Sequence, residues 1–200
     1  MKNGRFSEEL RTWLKRYGKK TIGSLEEHFG DKSIAVVIMM LMFVPALPIP
    51  TGGITHIFEL IVMLMSLGMI FGKKRLLITK KIRARNLGAQ TQAKAIPFII
   101  SKVQWFEKFS RPRLVGVIRS KYTERASGLL FFLFALAAFL APPFSGLDTF
   151  ASMGAVILAL GIILNDALIY LIGAAVGLAG VAVVVAVGGL TVNLIKHFSK

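Results

Sequence analysis

The chain carries ten acidic residues, and three of them, Glu59, Asp148 and Asp166, lie in or beside long apolar stretches. An ionisable side chain in hydrocarbon is unfavourable, so each is a functional candidate by default. His56 and Glu59 are three positions apart and share one face of a helix, and Thr55 adds a hydroxyl on the same side. An imidazole and a carboxyl group held together away from bulk water can exchange a proton. Just upstream, Thr51, Gly52 and Gly53 follow a cluster of prolines. Ser145 and Gly146 follow a second cluster, shortly before Asp148. Threonine and serine are good N-caps, and proline is favoured at a helix start. Helices beginning at 51–54 and 145–148 would aim free amides and positive dipole ends at one point, where a phosphate or carboxylate can sit. The expected substrate or ion site is therefore Thr51, Gly52, Gly53, Thr55, His56, Glu59, Ser145, Gly146 and Asp148, with no catalytic residue and no metal ligand.

The elements that must position these groups are two interrupted apolar regions. Phe43-Val44-Pro45-Ala46-Leu47-Pro48-Ile49-Pro50-Thr51-Gly52-Gly53 lies inside an apolar region from Ile34 to Phe71. Prolines so close together cannot occupy a regular helix, because each removes an amide donor and crowds the preceding turn. Non-helical backbone at membrane depth is tolerated only where protein or a water-filled cavity satisfies it. The break is thus either a turn at the far membrane surface or a site within the membrane. It also recurs. An ungapped shift of 93 residues puts Pro50 on Pro143, Gly53 on Gly146, Leu67 on Leu160 and Gly68 on Gly161. Upstream the same shift sets Gly23 on Gly116, Asp31-Lys32-Ser33 on Glu124-Arg125-Ala126, and Phe6, Leu10 and Trp13 on Ile99, Val103 and Phe106. Thr55 then meets Asp148, and His56 meets Thr149. This register reads as two tandem units, 6–72 and 99–165, a duplication of the kind found in membrane transporters.

A chain of 200 residues that is 54% hydrophobic, with apolar regions at 34–71, 126–164 and 167–195, reads as a small all-α integral membrane protein. Each unit is expected to be an amphipathic helix followed by a Pro/Gly-broken, re-entrant or surface-turned helical hairpin. A C-terminal apolar helical segment at 167–195, one span or a broken pair, completes the fold. Ile54–Phe71 reads as long enough to cross, Ile34–Leu47 as too short. Residues 6–17 place Phe6, Leu10, Trp13, Leu14 and Tyr17 on one face, for the membrane interface or for the protein itself. Of the 25 basic residues, most lie before Ile34 or between Lys73 and Arg125, flanking apolar segments. The positive-inside rule and anionic lipid account for them before nucleic acid does. The N-terminus and the basic linker 73–98 are therefore expected on the cytoplasmic side, and units that begin and end there are related by an axis along the membrane normal. With no cysteine and three scattered histidines, neither disulfide, thiol chemistry nor a zinc-like cluster is expected. No nucleophile triad or phosphate-binding glycine loop is present, so the chain reads as a non-enzyme without cofactor.

These features together carry a family resemblance. The polar helix ending near Gly30-Asp31-Lys32-Ser33, the block broken by Pro45, Pro48 and Pro50, the basic middle, the second block broken at Pro142-Pro143 and the glycine-rich apolar tail resemble the bacterial exopolysaccharide-synthesis ExoD family. The resemblance covers almost the whole chain. It implies a multi-pass inner-membrane protein linked to exopolysaccharide production, and it supplies no catalytic residues. The paired broken hairpins are also similar in style to DedA-type membrane proteins, which handle lipid-linked phosphates, although the acid those proteins carry beside the break is not seen here. Two functions follow. One is a transporter-like protein binding or moving a small anion, proton-coupled solute or lipid-linked phosphate. The other is a non-transporting scaffold or regulator of the polysaccharide machinery. Self-association as a homo-oligomer fits either.

Overall fold

The fold was obtained as a computed structural model, which describes residues 5–47, 55–72, 83, 84, 86, 88, 92, 93, 96–142 and 145–198. Thr51, Gly52 and Gly53, and most of the 73–98 linker, lie outside the described residues. Those described are helical apart from turns and isolated bridges: α1 (Phe6–Lys15), α2 (Ile22–Phe29), a 3-10 turn (Gly30–Lys32), α3 (Ser33–Phe43), α4 (Thr55–Ile70), α5 (Ile96–Phe109), α6 (Val115–Ile118), α7 (Lys121–Leu140), α8 (Asp148–Leu164) and α9 (Ala167–Phe198).

Local chemistry explains the boundaries. Thr21 and Ser24 form a reciprocal capping box at the start of α2, which satisfies two otherwise orphan amides. Gly30, at φ 52°, ends that helix in a conformation a side chain would disfavour. Ser120 caps α7 by accepting from the Thr123 amide at 3.1 Å. Asn165 closes α8 in the left-handed region, and the Asp166 amide returns to the Gly161 carbonyl at 2.9 Å. The segment 167–195 resolves as part of one unbroken helix, α9.

Around an apolar core, the lipid-length helices also carry apolar residues on their outer faces. On α4, Thr55, Glu59 and Ser66 are buried, whereas Ile57, Leu60 and Leu64 face outward. Exposed apolar stripes around buried polar groups are stable when the surroundings are lipid. Two helices are long and apolar enough to cross a membrane, α7 and the Ala167–Leu190 part of α9. α3, α4 and α8 are apolar but shorter. Over its 16 described residues α4 rises about 24 Å; Ile54, where the expected crossing begins, lies outside the described residues.

The helices of the first hairpin pack on those of the second. α4 runs antiparallel to α7: Gly128 abuts Met69 and Ile70 at one end, and the His56 ring meets Phe139 at the other, centroids 5.2 Å apart. α3 lies on α8, with Lys32 Nζ donating to the Ile163 carbonyl at 2.6 Å. α8 and α9 are in backbone contact along their length, where glycines meet backbone: Gly154 on Gly177, Gly161 on Tyr170, Gly173 on Leu158 and Gly180 on Ala151. Only residues without a side chain permit so close an approach. The apolar face of α1 is turned into the protein. Phe6, Leu10 and Trp13 are buried, and Ser7 ties α1 to Glu107 of α5 through its amide (2.8 Å) and its hydroxyl (2.5 Å). Tyr17, expected on that face, lies beyond the helix and is fully exposed. Of the two settings open for this helix, packing on protein is the one found.

Candidate functional site

At the end of the bundle where α4 and α8 begin, the structure gathers most of the predicted polar residues. Glu59 is completely buried and Thr55 nearly so. His56 Nδ1 stands 2.8 Å from Glu59 Oε2, the i, i+3 pairing expected from the sequence. The Thr55 side chain, one turn earlier on α4, also hydrogen-bonds the Glu59 carboxylate. Asp148 opens α8 and lies within electrostatic reach of both Glu59 and His56. Two acids from different hairpins therefore share one imidazole. The His56 ring is held in place edge-on by Phe139 from α7.

Ser145 and Gly146 are placed differently from expectation. Both are exposed. Ser145 builds the turn itself, its hydroxyl donating to the Pro142 carbonyl at 2.7 Å and accepting from the Leu147 amide at 3.2 Å. Gly146 supplies the positive φ of 70° that the turn needs. The helix starts only at Asp148, after Leu147 as an N-cap without a side-chain bond. Ser145 thus caps a turn, not the helix, and points no amide at the acids.

Along α8 from Asp148 lie two further buried hydroxyls, one of them not singled out by the sequence. Ser152, one turn beyond Asp148, is fully buried, and its hydroxyl has no partner among the described residues. Thr149 is buried beside it. The signal for Ser152 lay in the repeat register, since the shift of 93 that sets Thr55 on Asp148 also sets Glu59 on Ser152. Glu59 and Ser152 therefore occupy matched positions in that register.

Asp166 is resolved as structural. It is fully buried and accepts from the Arg111 amide (2.8 Å), the Leu168 amide (3.0 Å) and the Arg113 guanidinium (3.1 Å). Burial alone would push its carboxyl up, but the two amides and Arg113 outweigh that and hold it below the usual range. The contacts fasten the 110–119 segment to the turn between α8 and α9, where Arg119 Nε also donates to Asn165 Oδ1 at 3.0 Å.

With this geometry in hand, comparison with known proteins gives one match. A family model described as exopolysaccharide synthesis, ExoD, matches residues 6–186. No curated protein and no solved structure matches the chain.

Proposed function

Because the chain belongs to the ExoD family of exopolysaccharide-synthesis proteins, we propose that it serves that process as a transporter-like, multi-pass inner-membrane protein. On this reading it couples movement of a solute to a proton held by Glu59, His56 and Asp148. The observation that carries the reading is Glu59: fully buried in an apolar helix, its carboxylate served by the titratable His56 and the Thr55 side chain, with a second acid from the other hairpin nearby. The structural carboxylate of Asp166 is held instead by two amides and a guanidinium.

The tandem-unit reading gains support from burial in register. The shift of 93 residues carries the bounds of α4 to 148–163, within one residue of α8. It carries fully buried Ile38, Met42, Glu59 and Val62 onto fully buried Phe131, Ala135, Ser152 and Ala155, and exposed Ile57 and Leu60 onto exposed Phe150 and Met153. Both breaks fall at the same end of the bundle, in keeping with units that begin and end on the cytoplasmic side. Depth is supported by α9. Gly180 faces Ala151, which sets Asp148 level with about Val183, some 24 Å along α9 from Ala167. The apolar stretch of α9 runs on to Leu190, about 10 Å further. An acid at that level lies short of the far surface, inside a ~30 Å core.

The lipid contact is proposed on α5. Phe98, Lys102, Trp105 and Phe109 follow one another at i, i+4, i+7 and i+11 as an exposed stripe, while Ile96, Ile99, Ile100 and Val103 are buried behind it. Phe98 also packs edge-on against Phe43 of α3, centroids 5.6 Å apart. Aromatic residues with a lysine suit the headgroup boundary of an anionic bilayer.

Glu59→Gln and Asp148→Asn test the reading in cells lacking the native gene copy. Each variant is expected to reduce exopolysaccharide at least about tenfold, the loss of one proton-transfer group being worth that or more. Membrane levels of the protein should be unchanged. Full polysaccharide production by both variants would refute proton coupling and leave the scaffold reading.

A further inference from the structure

At the opposite end of the bundle from Glu59, where α3 and α7 begin and α4 and α8 end, lies a cavity of about 410 Å³. Its wall carries Lys32, Arg119, His28, Glu9, Glu124 and Asn165. Among the described residues, none of the five titratable side chains in that set is within 4.0 Å of an opposite charge on the protein. The cations are held instead by neutral oxygens, Lys32 Nζ by the Ile163 carbonyl and Arg119 Nε by the Asn165 side chain. An ammonium has three donors and a guanidinium five, so each keeps donors to spare after its one bond. Both partners come from the C-terminal end of α8 and its cap, which sets the two cations on one wall of the cavity.

We propose that this cavity is a binding site for a phosphate ester that also carries hydroxyl or amino groups. Lys32 and Arg119 take the phosphate, and Glu9 and Glu124 accept from the donor groups. Arginine and lysine together suit phosphate, the first by its planar fork and the second as a point charge. The two glutamates discriminate against a bare anion, which would meet them with like charge. The volume suits a group the size of a glycerol or hexose phosphate. Burial pulls the Lys32 ammonium below its ordinary range, with Glu9 opposing and Arg119 adding to the effect. An incoming phosphate would oppose that shift. The same chemistry is offered by a soluble sugar or glycerol phosphate and by a phospholipid headgroup at the cytoplasmic interface. The site does not depend on the proton reading for Glu59.

The test uses the full chain purified in detergent and in nanodiscs. Inorganic phosphate and glycerol 3-phosphate are titrated by calorimetry, and retention of phosphatidic acid against phosphatidylcholine is read by native mass spectrometry. Lys32→Gln and Arg119→Gln are expected to weaken binding of at least one phosphate ester about tenfold, the value of one charge-assisted hydrogen bond. Lys32→Arg should keep most of the affinity, and Lys15→Gln, an exposed lysine on α1, should keep all of it. Loss confined to glycerol 3-phosphate assigns a soluble ligand, and loss confined to phosphatidic acid assigns a lipid. The proposal is overturned if all three phosphate probes bind Lys32→Gln and Arg119→Gln as they bind Lys15→Gln. It is equally overturned if Lys32→Arg loses as much as Lys32→Gln, which would mark a packing role. Glu59→Gln should leave phosphate binding intact whatever it does to polysaccharide, so the two readings fail separately.

Discussion

Removing the Asp166 carboxylate tests how the end of the bundle where α8 turns into α9 is held together. Asp166→Ala deprives the Arg111 and Leu168 amides and the Arg113 guanidinium of one shared acceptor, in a place with no solvent exposure at the aspartate. Two charge-assisted bonds from backbone at about 1.5–3 kcal/mol each set the scale. The third partner adds little, because the Arg113 side chain is 39% exposed and can turn to water. A loss of about 3–5 kcal/mol is expected. Arg113→Ala, which leaves both amide bonds in place, should cost only about 1 kcal/mol. The pH dependence has a definite sign. The folded carboxyl titrates below the unfolded value of about 3.9, so its stabilisation is fully present above that pH and is lost as pH falls through the folded pKa. Thermal unfolding in detergent should therefore separate the wild type from Asp166→Asn at pH 7, and the gap should close only as pH falls below the unfolded value and through the folded pKa. An Arg113→Ala cost equal to that of Asp166→Ala would refute the reasoning, since it would mean that the ion pair and not the amides carries the tie.

The α8–α9 contact gives a second prediction. A methyl group on Gly154 would stand 2.2 Å from the Gly177 Cα, backbone that cannot step aside, whereas one on Gly188 meets nothing within 4 Å. Gly154→Ala should lose about 1–3 kcal/mol in a detergent melt, and Gly188→Ala should stay within about 0.5 kcal/mol of wild type. The two tryptophans test the lipid contact proposed for α5. Trp105 is 56% exposed and Trp13 only 2%, so brominated lipid should quench Trp13→Phe, which retains Trp105, and leave Trp105→Phe nearly unquenched. Equal quenching of the two variants would place α5 away from lipid.

The sequence carried the chemistry of individual positions better than their depth. His56 and Glu59 were legible because helical spacing alone puts them on one face, and the helix formed. The end of the first apolar region was legible because Pro45 and its neighbours remove amide donors. Ser145 was misjudged for a physical reason. A serine can cap a helix or close a turn with the same oxygen, and Pro142, three residues back, offers the carbonyl that favours the turn. The amphipathic α1 was ambiguous at the level of periodicity, which records that one face is apolar but not whether lipid or α5 covers it. Asp166 looked like a candidate by its place beside an apolar run. Its partners, Arg111 and Arg113, lie more than fifty residues away, and no local pattern announces them.

The divergence within the repeat register says more about function than the similarity does. The buried apolar positions match in kind, Ile38 with Phe131 and Val62 with Ala155, as packing on a shared frame demands. The polar positions do not match: Thr55 faces Asp148, His56 faces Thr149 and Glu59 faces Ser152. If polar groups were there only to solvate a surface turn, either unit would do with either set, and nothing would concentrate the titratable ones. Instead one hairpin supplies an imidazole and a buried carboxylate, and the other supplies a half-buried carboxylate and a buried hydroxyl. Across the two hairpins, Asp148 lies within electrostatic reach of Glu59 and of His56. A proton or cation shared among them would need both hairpins at once. That makes the interlocked packing of α4 on α7 and α3 on α8 a requirement of the site and not only of the fold.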